Sequence, residues 1–421
     1  MWGFQARGRA VDRRTVLAGL GLSLGSGCLR LEEANATGEP GTGATGTRRR
    51  TTQGTQTASA TATDTETATA EPTDTAEPTD TETETETETD PGPSLQLRWE
   101  DRRRTKYGVA DDGLLINAWD HGVQATEVSS GDTRWEQRSL ARIGTDCVPL
   151  LTDDYVFAAG RNEDESGNLV LKIDRRSGAI VAQNTIERIT PFIGQPHLAD
   201  GTLVLGIETY NDNDTLYTLD ADTLEVTWSG QPTTERFIGA AVVDGLIYTN
   251  FFNFDALFSF PDFSLLWEDD GAGLGSPPVA HDGLLYVPGD SCVRCLDPAT
   301  RETRWKSMRF GRAEAIRVVE DTVFVGSSTY ATAFDRATGE LRWQTSVGQD
   351  TSNGLSPNRF AVEADQGLVW GLGKYNVTGI DSTTGEVVGR GEVGEWADWL
   401  AADGDRVVAG NVDGRKCYQV P

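Results

Sequence analysis

The sequence predicts an all-β fold, an eight-bladed β-propeller of four-stranded blades that follows a disordered stalk and is closed by its own N-terminal strand. Three observations predict it. A pattern about 40 residues long, the length of one four-stranded blade, recurs from Leu95 onward. Every copy has a tight acidic turn between its first two strands, and most copies carry a tryptophan at one place in the last strand.

The copy from Ser276 to Lys306 shows the plan of strands A to D. Pro277 to Ala280 forms strand A, Asp282-Gly283 turns the chain, and Leu284 to Val287 returns as strand B. Cys292 to Leu296 is strand C, and the turn at Asp297-Pro298-Ala299-Thr300 leads into Thr303-Arg304-Trp305 of strand D. The A–B turns fall at Asp112-Gly113, Asp153-Asp154, Asp200-Gly201, Asp244-Gly245, Asp282-Gly283, Glu320-Asp321, Asp365-Gln366-Gly367 and Asp403-Gly404. Asp-Gly suits a two-residue type I′ hairpin, whose central residues both need positive φ. Strand D carries Trp99, Trp135, Trp228, Trp267, Trp305 and Trp343, while Ala182 and Gly389 take that place in two copies. The ends complement one another. Leu95 to Glu100 is a D strand with no A, B or C before it, and Trp399 to Pro421 supplies A, B and C with no D after it. The first strand is therefore expected to complete the last blade, which removes the open sheet edges that invite aggregation.

The segment Ala333-Phe334-Asp335-Arg336-Ala337-Thr338-Gly339-Glu340-Leu341-Arg342-Trp343 resembles the tryptophan-docking motif of the pyrroloquinoline-quinone (PQQ) propeller repeat. Weaker copies are Asp174 to Gly178, Asp220 to Trp228, Asp297 to Trp305 and Asp381 to Gly385. Asp335 and Thr338 suit side-chain capping of the C–D turn. Gly339 suits a positive φ, and Trp343 suits the wedge between blades. The resemblance implies either a quinoprotein dehydrogenase or a non-enzymatic BamB-type lipoprotein. Quinoprotein enzymes also carry a vicinal cysteine pair, a calcium site and long blade insertions. No adjacent cysteines occur here, so no PQQ-site residue carries over and no cofactor is predicted. A non-enzymatic binding or assembly scaffold is the preferred reading, and a small PQQ-dependent alcohol or sugar dehydrogenase is the alternative.

Residues 1–27 read as an export signal. Arg13-Arg14 precedes a short apolar, glycine-rich run and resembles a twin-arginine signal. Leu24-Gly25-Ser26-Gly27-Cys28 resembles a lipobox, with Cys28 taking the lipid. Plain cleavage near Gly27 would instead release a soluble secreted protein. Residues 28–93 form a Thr/Glu-rich linker with too few apolar groups to offset chain entropy. Residues 94–421 form the propeller. This order implies a surface protein anchored to the outer side of the cytoplasmic membrane.

Asp and Glu number 65 against 37 Lys and Arg, a formal net charge of -28, which disfavours nucleic acid as a partner. Lysine is confined to Lys106, Lys172, Lys306, Lys374 and Lys416, an acidic, lysine-poor balance that resembles proteins of salt-loving archaea. Cys292-Val293-Arg294-Cys295 resembles half a metal site, but no second CxxC exists. Cys295 is read instead as a small core residue at the place of Ala125, Ser259 and Ala333. The three histidines, His121, His197 and His281, belong to no recognisable catalytic or metal-binding spacing.

Length varies in the B–C and D–A connections, at Gly160 to Asn168, Glu208 to Asp214 and Gln344 to Asn358. In a meander these connections share one face, so that face is the expected site for a protein or glycan ligand. D–A loops are expected to bring His197, Arg236, Phe237, Arg312, Glu314, Arg359, Trp396, Asp398 and Trp399 near the channel mouth. Two indoles beside a carboxylate, at Trp396, Asp398 and Trp399, suit stacking on a sugar or holding a cation, or else packing of the channel wall.

Overall fold

The computed structural model describes residues 93–421 apart from 120–121, 139–141, 144–147, 162–166, 187–191, 208–214, 231–236, 252–253, 261, 270–275, 290, 309–311, 328, 349–358, 395–396 and 412. The signal, Cys28 and the stalk lie outside the described residues. Eight antiparallel sheets follow one another, each a meander of strands A to D. Blades 1 to 7 begin at Tyr107, Arg142, Phe192, Phe237, Val279, Ala315 and Phe360, and blade 8 joins Trp399–Asp403, Arg406–Asn411 and Gly414–Gln419 to Gln96–Asp101. First strands of successive blades touch, so strand A lies innermost. In blade 2 that strand is split into Arg142–Ile143 and Leu150–Leu151, both paired with Tyr155–Arg161. Pro149, which lacks an N–H, lies just before the second piece.

Both turns of the repeat have a local cause. Asp112, Asp200, Asp244 and Asp282 hold φ at 48 to 50° and the glycines after them at 71 to 77°, as a type I′ hairpin requires. In the C–D turn, Asp335 Oδ1 accepts the Ala337 and Thr338 backbone N–H groups at 3.0 Å and the Thr338 hydroxyl at 3.1 Å. Asp174, Asp220, Asp297 and Asp381 likewise accept the backbone N–H of Ser177, Thr223, Thr300 and Thr384, and all but Asp297 also accept the hydroxyl. The Arg342 guanidinium, then the turn's N–H and hydroxyl donors, hold the Asp335 carboxyl down at about 2.

These turns form the sockets that join blade to blade. Trp135 Nε1 donates to Arg175 O at 2.8 Å, Trp305 to Arg336 O at 2.9 Å, and Trp343 to Ser382 O at 2.9 Å, each in the next blade's C–D turn. The indole lies flat on the turn's glycine. A Cβ on Gly178, Gly339 or Gly385 would stand only 2.5 to 2.7 Å from the ring, and each glycine has φ between 73 and 77°. Blade 4 replaces the glycine with Phe263, whose ring stacks on Trp228 at 4.2 Å and 12°. Blade 7 has Gly389 in place of the tryptophan, and the N-terminal tether fills the gap. Leu95 is buried against Gly389, and Pro93 to Leu95 exchange backbone hydrogen bonds with Arg390 at 2.9 Å.

The ring closes as the chain ends suggest. Gln96–Asp101 pairs antiparallel with Gly414–Gln419, and Trp99 Nε1 donates to Val128 O of blade 1 at 2.8 Å. At this seam Arg415, 2% exposed, forms an ion pair with Asp101 at 2.8 Å and donates to Asn117 and Thr126 of blade 1. Its guanidinium also lies 5.5 Å from the centre of the Trp99 ring. One sequence alignment of the repeat needs correction. Cys295 does pair across the ladder with Trp305, as Ala125 does with Trp135 and Ala333 with Trp343. The blade 4 counterpart is Leu257, not Ser259, because Leu257 opposes Trp267 and Ser259 opens the turn. Cys292, Cys295 and Cys417 are buried free thiols.

Two expectations follow. Glycine-to-alanine changes should separate the socket from the turn. Gly113→Ala meets no atom within 4 Å and carries only backbone strain, about 1 kcal/mol. Gly339→Ala adds overpacking against Trp305, about 1–3 kcal/mol more, so denaturant melts should show the larger loss at Gly339. A chain starting at Thr105 loses Trp99, Leu95 and the closing strand. A buried Trp→Ala change alone costs about 3–5 kcal/mol. That chain should aggregate or unfold at a much lower denaturant midpoint than one starting at Ser94, and equal midpoints would refute closure by this strand.

Candidate functional site

The innermost strands enclose an axial cavity of about 370 Å³, contributed by blades 2 to 6. Its wall is mainly short and apolar, with Ala199, Ala240, Val242, Ala280 and Ala315 among the lining residues. Two long nitrogen side chains enter it, His197 of blade 3 and Arg317 of blade 6. His197 opposes Val204 on its own sheet, and desolvation pushes its imidazole down to about 4. It is therefore neutral near neutral pH. An imidazole with so weak a conjugate acid is a good acceptor for a ligand N–H or O–H and a poor general base. Arg317 Nη1 donates to Ile316 O at 2.9 Å. Sequence reading placed His197 near the channel and missed Arg317. The signal for it was a lone charge within Ala315-Ile316-Arg317-Val318-Val319.

The expected indole–carboxylate cluster is not assembled as an open face. Trp399 is 0% exposed. Its ring fits between Gly108 of blade 1 and Gly410 of its own blade, where any Cβ would collide with it. It is wall packing, the second of the two roles its sequence allowed. Phe237 repeats the device against Gly206 of blade 3, as does Phe360 against Gly326 of blade 6. The first residue of strand A in these blades is thus a wedge between blades and not a channel-mouth group. Asp398 is exposed at the head of blade 8, and its backbone N–H donates to Gly410 O at 2.8 Å. Desolvation raises the Asp398 carboxyl, against the pull of the Arg359 guanidinium, and Asp413 adds to the rise. Arg359 itself is 7% exposed. Glu314 is buried and Arg312 half-buried at the head of blade 6. Trp396 and Arg236 lie outside the described residues. The structure therefore keeps Asp398 and Arg359 as electrostatic neighbours, with His197 apart from them on an inner strand of blade 3.

Beside Asp398, a second cavity of about 470 Å³ opens at the head of blade 8, with Asp101, Asp413, Arg102 and Lys416 in its lining. Among the described residues no group of three or more His, Cys, Asp and Glu side chains could hold a metal ion. The arrangement offers hydrogen-bond acceptors and charged groups of both signs to a ligand at the B–C/D–A face.

No curated protein matches this chain. Among solved structures, the computationally designed Ika8 protein superposes with a TM-score of 0.62 at 12% identity, covering 78% of this chain and all of that one. BamB from Moraxella catarrhalis superposes at 0.54 with 15% identity, covering 77% of this chain and 99% of that one. Quinohemoprotein alcohol dehydrogenase ADHIIG from Pseudomonas putida HK5 superposes at 0.51 with 12% identity, covering 78% and 76%. At these identities the likeness is one of fold. A family pattern described as outer membrane protein assembly factor BamB matches residues 119–251 and 260–414, more than half of the sequence and parts of all eight blades, and the chain belongs to that family.

Proposed function

We propose that this chain is a non-enzymatic binding or assembly scaffold, exported through the Arg13-Arg14 signal and held on the cell surface by a lipid on Cys28. The observation that carries the reading is the unequal treatment of the two faces. The C–D turns of blades 2, 3, 5, 6 and 7 keep one aspartate-capped geometry, and most A–B turns take two residues. B–C connections instead range from two residues at 120–121 to seven at 208–214, and the D–A connection at 347–359 is longer still. A scaffold that varies one face and holds the other constant places its recognition groups on the varied face. The partner proposed for it is a protein or a glycan. The acidic surface, with so few lysines, suits a protein kept soluble in high salt.

The quinohemoprotein likeness gives the dehydrogenase reading its specific ground, and one assay decides between the two. Purified protein incubated with PQQ and Ca²⁺ is expected to leave a redox dye unreduced with primary alcohols and aldoses. Dye reduction that requires both PQQ and Ca²⁺ and disappears in His197→Ala would establish the enzyme instead. For the anchor, Cys28→Ser is expected to move the protein from the detergent-dependent membrane fraction to the soluble fraction or medium. Unchanged membrane association would exclude lipidation at Cys28.

A further inference from the structure

We propose that a groove on blade 1 binds an acidic sugar, with arginines gripping its carboxylate and Trp119 packing on its ring. The groove encloses about 620 Å³, larger than the axial cavity. Three guanidinium groups line it, Arg103 and Arg104 from the connection that leads into blade 1, and Arg138 at the end of that blade's strand D. In a chain with a net charge of -28, three arginines around one groove, against Glu136 in its lining and Asp101 beside Arg103, leave a local positive excess. Arg104 has no carboxylate partner among the described residues. Guanidinium is the group suited to bidentate recognition of a carboxylate.

An independent observation lies in the floor. Gln124, 1% exposed, has a buried side-chain Nε2 that donates to nothing. A buried amide donor left unpaired is costly, about 1–3 kcal/mol, and calls for an acceptor. Arg103 lies over it and donates to Gln124 Oε1 at 3.5 Å and to Thr133 Oγ1. The Arg103 side chain is 46% exposed and its ion pair with Asp101 is long, 3.8 Å, so an anion in the groove competes for the guanidinium, and its movement outward would uncover the amide beneath. The ligand then accepts from Gln124 where water does not reach.

The remaining groups favour a sugar over an acidic peptide. Trp119 is half-buried and offers an apolar surface of the kind that packs on a pyranose, with Arg138 5.8 Å from its ring centre. Thr133 supplies a hydroxyl, and Glu136, which accepts from Arg138 Nε at 2.6 Å, is an acceptor for sugar hydroxyls. The same carboxylate repels a run of acidic side chains. This inference is independent of the scaffold reading, since such a groove would serve an enzyme equally well.

The test is calorimetric titration of the full chain with trigalacturonate, its methyl ester, and tetraglutamate, at low and at molar salt. Trigalacturonate is expected to bind saturably, the neutral ester at least tenfold more weakly, and tetraglutamate at least tenfold more weakly. Arg104→Gln with Arg138→Gln should weaken trigalacturonate at least tenfold and Trp119→Leu several-fold. Both arginines are exposed, so an unchanged melting midpoint certifies that the double variant is folded. Gln124→Met, which keeps the volume and removes the donor, should weaken binding without loss of stability. Binding should weaken in molar salt, where the Debye length is about 3 Å, but persist through the direct contacts. Absence of saturable binding, or equal binding by the folded double variant, overturns the site. Equal or tighter binding of tetraglutamate, or equal binding of the ester, overturns its assignment to an acidic sugar.

Discussion

Most joints of this ring are held by an indole lying on a turn that belongs to the next blade. In its full form the interaction combines three things: an aspartate that caps the C–D turn, a residue with positive φ at the turn's end, and a flat surface where no Cβ projects. Asp335, Gly339 and Trp305 supply one complete set. Its chemistry is economical. The ring buries a large apolar area, and its one polar atom is satisfied by a carbonyl of the turn it covers. A four-stranded blade cannot bury both faces alone, so the ring is stable only when the last such contact is made. Trp99 makes it, with Val128 and Gly131 as its socket. Two joints lack the indole: at Ala182 the cluster around Leu224 of blade 3 fills the place, and at Gly389 Leu95 fills it.

Charge is arranged by the same logic. Carboxylates vastly outnumber ammonium groups, yet in the described residues many have structural partners at the joints. Asp403 accepts the Gly113 N–H and Glu363 the Gly404 N–H, each from the turn of the following blade. Desolvation raises both carboxyls, and neighbouring turn aspartates add to the rise. Four arginines are spent at seams. Arg175 bonds Asp111, Arg336 bonds Asp282, Arg294 bonds Asp255, and Arg415 bonds Asp101. Arg415 is the most buried of these four, and removing one partner of such a pair costs about 3–5 kcal/mol. The contrast makes the arginine-lined groove on blade 1 stand out, because its guanidinium groups are exposed and Arg104 has no seam to hold.

A neutral His197 with a conjugate acid near 4 has little driving force to take a proton from an alcohol. The lining around it is mainly alanine, valine, leucine and proline, with Ser276 and Arg317 as its other polar groups. The arginine-lined groove belongs to blade 1 and to the connection leading into it, whereas the axial cavity is contributed by blades 2 to 6.

The repeat, the blade count and the closing strand were legible in the sequence because each depends on local chemistry. Asp-Gly sets an I′ turn wherever it occurs, and the eight-residue step from Asp335 to Trp343 fixes where the indole leaves the turn. The roles of the candidate site residues were not legible, because burial belongs to neighbours from other blades. Trp399 and Asp398 are adjacent in sequence, but Gly108 and Gly410 open a slot that takes the indole out of solvent and leaves the carboxylate exposed. Nothing local distinguishes Phe237 as a wedge, since the glycine that receives it, Gly206, lies in the preceding blade. Leu95 likewise gave no sign that it replaces a tryptophan of blade 7, and Arg103, Gln124 and Arg138 meet only when blade 1 is folded against the closing strand. Turn chemistry acts over a few residues and can be read along the chain, whereas access to solvent is settled by which surfaces the closed ring brings together.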